Sequence, residues 1–181
     1  MKATGIVRKI DNLGRVVIPK EIRSTMKIRE GDPLEIYTDR NNEVIFKKYS
    51  LIGELGIFAE QYTESLAKVS QFPVCISDRD VLIACNGISN KNLIIGKRIS
   101  KEIEDYIETK TLSIIKKEEK VPLLLEDNQK YKIAAIASII FENEPIGSVL
   151  LLENSKNKKD VEESDMKLIE VASIFLSKVA N

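Results

Sequence analysis

The sequence predicts an α+β protein in two parts. A small N-terminal module of short strands precedes a larger unit in which an antiparallel sheet is flanked by helices. Three observations predict it. Residues 1–50 hold short β-branched runs broken by turn residues. Helical spacing of apolar residues runs over 51–69 and returns over 161–179. Between those helices lie two pairs of apolar runs with turns between them, the pattern of hairpins. A chain of 181 residues has room for one or two domains.

The N-terminal module reads as follows. Ile6–Ile10 is a short β-type run. Asp11-Asn12-Leu13-Gly14-Arg15 supplies a turn, with Gly14 free to take positive φ. Val16–Ile18 is a second β-branched run, stopped by Pro19, which also suits the start of a helix. A short helix through about Lys27 follows, with Ile22 and Met26 on its apolar side. Leu34–Thr38 and Val44–Tyr49 are strands turned by Asp39–Asn42. About fifty residues of short strands bury too little apolar surface to fold alone. The module is therefore expected to share a core with a second copy of itself. Two-fold symmetry of that kind suits two DNA half-sites.

Leu51 to Val69 reads as one amphipathic helix, with Leu55, Phe58, Ala59, Tyr62, Leu66 and Val69 on its stripe. It links the modules and begins the second domain. Phe72–Ser77 and Val81–Asn86 form a hairpin around Asp78-Arg79-Asp80. Ile99–Ile107 is helical, Thr111–Ile115 extended, and Lys116–Lys120 a charged loop. Tyr131–Phe141 and Ile146–Leu152 form a second hairpin, turned at Asn143-Glu144-Pro145. Asp160 begins the last helix with Glu163 as its capping-box partner. Val161, Leu168, Ile169, Ala172, Phe175, Leu176 and Val179 form that helix's stripe. The boundaries are thus 1–50, a linking helix over 51–70, and 71–181.

Composition excludes several chemistries. Apolar residues make up 43% and charged residues 31%, as in ordinary globular domains. There is no histidine, so no Ser-His or Cys-His nucleophile and no His-ligated metal can form. Cys75 and Cys85 sit in apolar runs and read as buried, reduced thiols of a cytoplasmic protein. Gly96-Lys97-Arg98 lacks the upstream glycine spacing and the Ser or Thr of a phosphate-binding loop. The runs Glu102–Asp105, Glu118-Glu119 and Glu162-Glu163 are solvated faces. Neither an enzyme, a cofactor nor a metal is expected. No apolar run reaches the roughly eighteen residues of a membrane span.

Net charge is zero, yet residues 1–29 hold 8 Lys+Arg against 2 Asp+Glu. Residues 51–181 hold 17 against 21. A basic module on a mildly acidic body points to an anionic partner. Arg8 and Lys9 lie on the first strand, Arg15 in its turn. Lys20, Arg23 and Lys27 are spaced three and four apart along one helix face. Arginine's planar fork can grip a phosphate or a guanine edge with two bonds, while lysine acts as a point charge on phosphates.

Met1-Lys2-Ala3-Thr4-Gly5-Ile6-Val7-Arg8-Lys9-Ile10-Asp11-Asn12-Leu13-Gly14-Arg15-Val16-Val17-Ile18-Pro19-Lys20-Glu21-Ile22-Arg23 strongly resembles the AbrB-type DNA-binding domain of bacterial transition-state regulators. The likeness continues through Leu34–Tyr37 and Lys47-Lys48-Tyr49. It implies a domain-swapped dimer of interleaved hairpins, with Arg8, Arg15 and Arg23 on duplex DNA. Ser24 departs from the pattern, standing where AbrB has a second arginine; it can still bond a phosphate, but the charge is gone.

Gly31–Ile36, Lys48-Tyr49-Ser50, Ile76–Val81 and Glu144–Val149 resemble members of that family whose second domain is a GAF sensor domain. That likeness implies a tetramer tied by GAF helices, and a regulator of sporulation genes that activates some promoters and represses others. It is weakest over about Asn90–Lys130, where ligand-pocket loops would fall. Ser77, Asp78, Asn86 and Ser89 are candidate ligand contacts by polarity alone. Two other readings stand beside this one. One is an antitoxin with the same swapped-hairpin fold; the other is a ligand sensor whose basic face meets a protein.

Overall fold

The computed structural model describes residues 4–116, 118–119, 121–126, 131–153 and 159–180. Met1–Ala3 of the DNA-binding motif, and Lys117 and Lys120 of the charged loop, lie outside the described residues. The chain divides into two compact units, one ending at Tyr49 and one starting at Ser50.

The first unit holds the helix α1 (Lys20–Thr25) and an antiparallel hairpin, β1 (Leu34–Thr38) and β2 (Val44–Lys48). Asp39 shapes the hairpin turn by accepting the amides of Asn41 and Glu43 at 3.0 and 2.9 Å. The earlier turn forms as the sequence predicts. Gly14 has φ +75°, and Asp11 and Arg15 close a three-residue loop through Asp11 N–H to Arg15 O at 3.0 Å. The expected strands 6–10 and 16–18 are corrected: neither forms a ladder in the single chain. A strand needs a hydrogen-bonded neighbour, and beyond the Asp11–Arg15 closure the two arms are not paired with each other. No described apolar residue from 4 to 49 is buried. Val7, Ile10, Leu13 and Val17 are each about 70% exposed or more.

The second unit is a five-stranded antiparallel sheet in the order β4-β3-β7-β6-β5. Its strands are β3 (Val74–Asp78), β4 (Leu82–Asn86), β5 (Leu112–Ile114), β6 (Ile133–Phe141) and β7 (Glu144–Leu152). Helices α2 (Leu51–Glu54), α3 (Gly56–Ser70) and α5 (Glu163–Val179) serve one face. Helix α4 (Lys101–Glu108) serves the other. Alternation in the strands divides the core. Val74, Ile76, Val149 and Leu151 meet α3 and α5, while Cys75, Leu150 and Leu152 meet the Ile103 and Ile107 side chains of α4. Covered on both faces, the strands read as continuous apolar runs.

Four expectations change. The 51–69 segment is two helices broken at Leu55, because Leu55 leaves the helical region at ψ 15°. Ser50 starts the first of them by accepting the Gly53 amide at 2.9 Å. Val69 faces away from the core and is 66% exposed. The second hairpin turns at Glu142-Asn143, both at positive φ, as a two-residue turn matching strand twist requires; Pro145 is inside the β6–β7 ladder. The last helix starts at Glu163, not Asp160, with Glu162 and Asp165 as its capping box.

The cysteines need the largest correction. Both are fully buried, as expected, but they are bonded to each other. Cys75 and Cys85 are register partners on β3 and β4, so the hairpin itself sets the two Cβ atoms side by side.

Candidate nucleic-acid interface

The basic residues are presented by three local devices. Arg8 and Lys9 lie on the exposed arm before the Asp11–Arg15 turn. In the turn, the Asp11 carboxylate accepts the Leu13 and Arg15 amides at 2.9 and 2.8 Å, then the Arg15 Nε at 2.8 Å. Accepting the Arg15 amide and then its guanidinium holds the Asp11 carboxyl below its ordinary value. Arg15 thus has a defined direction while remaining exposed.

Helix α1 presents Lys20, Arg23 and Ser24, all exposed. Lys20 and Arg23 share a face, three residues apart. Lys27 does not continue that row. The helix ends at Thr25, and Lys27 turns into the left-handed region at φ 52°. Ile28 N–H donates to Arg23 O at 2.8 Å and Lys27 N–H to Ser24 O at 3.3 Å, a Schellman closure. Lys48 Nζ then holds the Lys27 carbonyl at 3.1 Å and the Asp32 carboxylate at 3.2 Å. Lys48 is therefore a positioning group for the loop after the helix, a role its place in a strand did not suggest.

The second unit treats the proposed ligand contacts differently. Ser77 is fully buried and shares a hydrogen bond of 2.8 Å with Ser148. Asp78 caps its own hairpin through the Asp80 and Val81 amides and accepts from Ser50. Ser89 offers its carbonyl to the Tyr131 hydroxyl at 3.0 Å. These three are structural groups, and Asn86 closes β4 beside an open groove. A cavity of about 480 Å³ lies elsewhere, bounded by Ile94, Lys97, Arg98, Leu124, Glu126 and Tyr131 among others. It falls in the segment where the sequence likeness is weakest. Among the described residues, no three Cys, Asp or Glu side chains converge to hold a metal ion. No helix among them is long and apolar enough to cross a membrane.

The chain matches two family descriptions. Residues 54–180 match "Stage V sporulation protein T C-terminal, transcription factor". Residues 7–51 match "Antidote-toxin recognition MazE, bacterial antitoxin". Among individual proteins, it is 43% identical to stage V sporulation protein T of Bacillus subtilis (strain 168), over 98% of both chains. It is 63% identical to the transition state regulatory protein AbrB of the same organism, over 27% of this chain and 50% of that one. The GAF domain from Acinetobacter phosphoenolpyruvate-protein phosphotransferase has the same fold as its larger part. There the TM-score is 0.55 at 15% identity, covering 74% of this chain and 84% of that one.

Proposed function

The chain belongs to the stage V sporulation protein T family, and on that premise we propose that it regulates transcription of sporulation genes by binding duplex DNA. The similarity over 98% of both chains is the observation that carries the reading. The exposed basic residues of the first unit agree with it. Arg8, Lys9, Arg15, Lys20, Arg23, Ser24 and Lys27 are the proposed DNA contacts, with phosphate contacts giving most of the affinity and base contacts the preference.

The exposed apolar arms of the first unit fit a second copy. Shared burial in a swapped dimer offsets the lack of a core in one chain. In the second unit, α3 and α5 keep Ile57, Val171 and Ile174 more than half exposed on faces turned from the sheet. Pairing of these helices between copies carries the dimer to a tetramer. The second unit acts as a GAF sensor that holds the oligomer together and takes a small ligand. The protein works in the cytoplasm on chromosomal DNA and needs no catalysis.

A second reading follows from the antitoxin match to residues 7–51. Antitoxins neutralise their toxins with short flexible tails, whereas Ser50 onward is a compact unit with two core clusters. A stable toxin complex recovered from native extract would favour this second reading.

The test is a salt titration of DNA affinity, wild type beside the Arg8→Ala/Arg15→Ala/Arg23→Ala variant. Each lost phosphate contact flattens the log–log slope by about 0.9. A slope equal in both proteins would remove these arginines from the interface.

A further inference from the structure

The cavity of about 480 Å³ in the second unit has a size suited to small ligands. Its floor is apolar: Ile94 and Leu124 are 7% and 6% exposed and belong to the core under α4. Tyr131 is a wall, its hydroxyl already committed to the Ser89 carbonyl.

At the rim stand two adjacent cations, Lys97 and Arg98. Their backbone is pinned from both sides. Leu82 N–H donates to Lys97 O at 3.0 Å, and Leu125 N–H donates to Arg98 O at 3.1 Å. The backbone that carries the two side chains is thus held in place before any ligand arrives. Nearby cations are paired, Lys91 with Glu60 at 2.6 Å and Arg79 with Glu108 at 2.7 Å. Among the described residues, neither the Lys97 nor the Arg98 side chain has a hydrogen bond or ion pair. Glu126 also lines the cavity, so its lining among the described residues holds two cations against one carboxylate. Such a rim over an apolar floor concentrates anions.

We infer that this cavity takes a small molecule with an anionic head and an apolar body, the head on Lys97 and Arg98 and the body over Ile94 and Leu124. The inference rests on the reading of the second unit as a sensor and adds the ligand's chemical class. Neutral and cationic molecules of the same shape leave the two cations unanswered.

Calorimetry of the full chain with octanoate, octanol and octylamine tests it, since the three share one apolar body. Octanoate should bind at least tenfold more tightly than octanol, and octylamine more weakly than either. The Lys97→Ala/Arg98→Ala variant, changed only at exposed positions, should lose octanoate affinity by tenfold or more and keep its octanol affinity. Equal affinities for the three probes, or an unaffected variant, would overturn the anionic class while leaving a sensor for apolar molecules. Binding of none of them would overturn both the inference and the sensor reading. Neither outcome bears on DNA binding by the first unit.

Discussion

The Asp11 carboxylate holds the Arg15 guanidinium at 2.8 Å while it also accepts the Arg15 backbone amide. One acid therefore shapes the turn and aims the cation that the DNA reading needs. This joins the local backbone to the proposed function, and it makes the turn sensitive to pH.

The folded-state pKa of Asp11 is depressed, chiefly by the Arg15 amide and then by its side chain. The interaction is therefore fully present above the ordinary carboxylate range and is lost as pH falls through the lowered value. In an NMR titration, the Leu13 and Arg15 amide signals should move together, with a midpoint below that of an unperturbed aspartate. A midpoint at or above the ordinary value would show that the carboxylate does not hold the turn in solution.

Asp165 is 2% exposed, accepts the Glu162 amide at 3.0 Å and pairs with Lys159 at 3.1 Å. Asp165→Ala removes the capping box of α5, leaves the Glu162 amide without its acceptor and takes from Lys159 its buried carboxylate partner. The expected loss is about 1–3 kcal/mol, read by denaturant unfolding. Asp165→Asn keeps an acceptor for that amide and should recover part of the loss.

Gly147 pairs with Asp78 across the β3–β7 ladder. A Cβ there would sit 2.2 Å from the Ser77 carbonyl oxygen, so backbone must move. Gly147→Ala should lower the stability of the second unit by about 1–3 kcal/mol, at the top of that range because backbone is the obstacle. Thermal unfolding of wild type and variant with coincident midpoints would contradict the close approach.

The Cys75–Cys85 bond closes a short loop, with a sequence separation of 10. Loop-closure entropy gives it about 3 kcal/mol. Reductant should lower the unfolding free energy of the wild type by about that amount and leave the Cys75→Ala/Cys85→Ala variant unchanged. Quantitative thiol labelling of the denatured, unreduced protein should find no free thiol.

Much of the second unit was legible in the sequence because its signals are local. Apolar alternation around Asp78-Arg79-Asp80 marks one hairpin, and the Ile103 and Ile107 spacing marks α4. The break at Leu55 was not legible, since the apolar spacing runs through it and only the packed backbone reveals the change in ψ. The Lys27 reversal hid for a similar reason: spacing extends a helix that its C-terminal hydrogen bonds end. In the sequence, Ser77, Asp78, Asn86 and Ser89 stand out only as polar groups near a turn. Polarity does not distinguish a group that serves a ligand from one that satisfies the fold, as the Ser77–Ser148 bond shows.

By itself the sequence determined the α+β class, the basic character of the N-terminal module and its lack of a core of its own. Each depends only on residue type and spacing along the chain. Tertiary structure alone decided that Cys75 faces Cys85, that Gly147 must carry no side chain, and that Lys97 and Arg98 line one cavity with Leu124 and Tyr131. Those relationships join residues on different strands and loops. They exist only once sheet register and loop closure have brought distant backbone within a few ångströms.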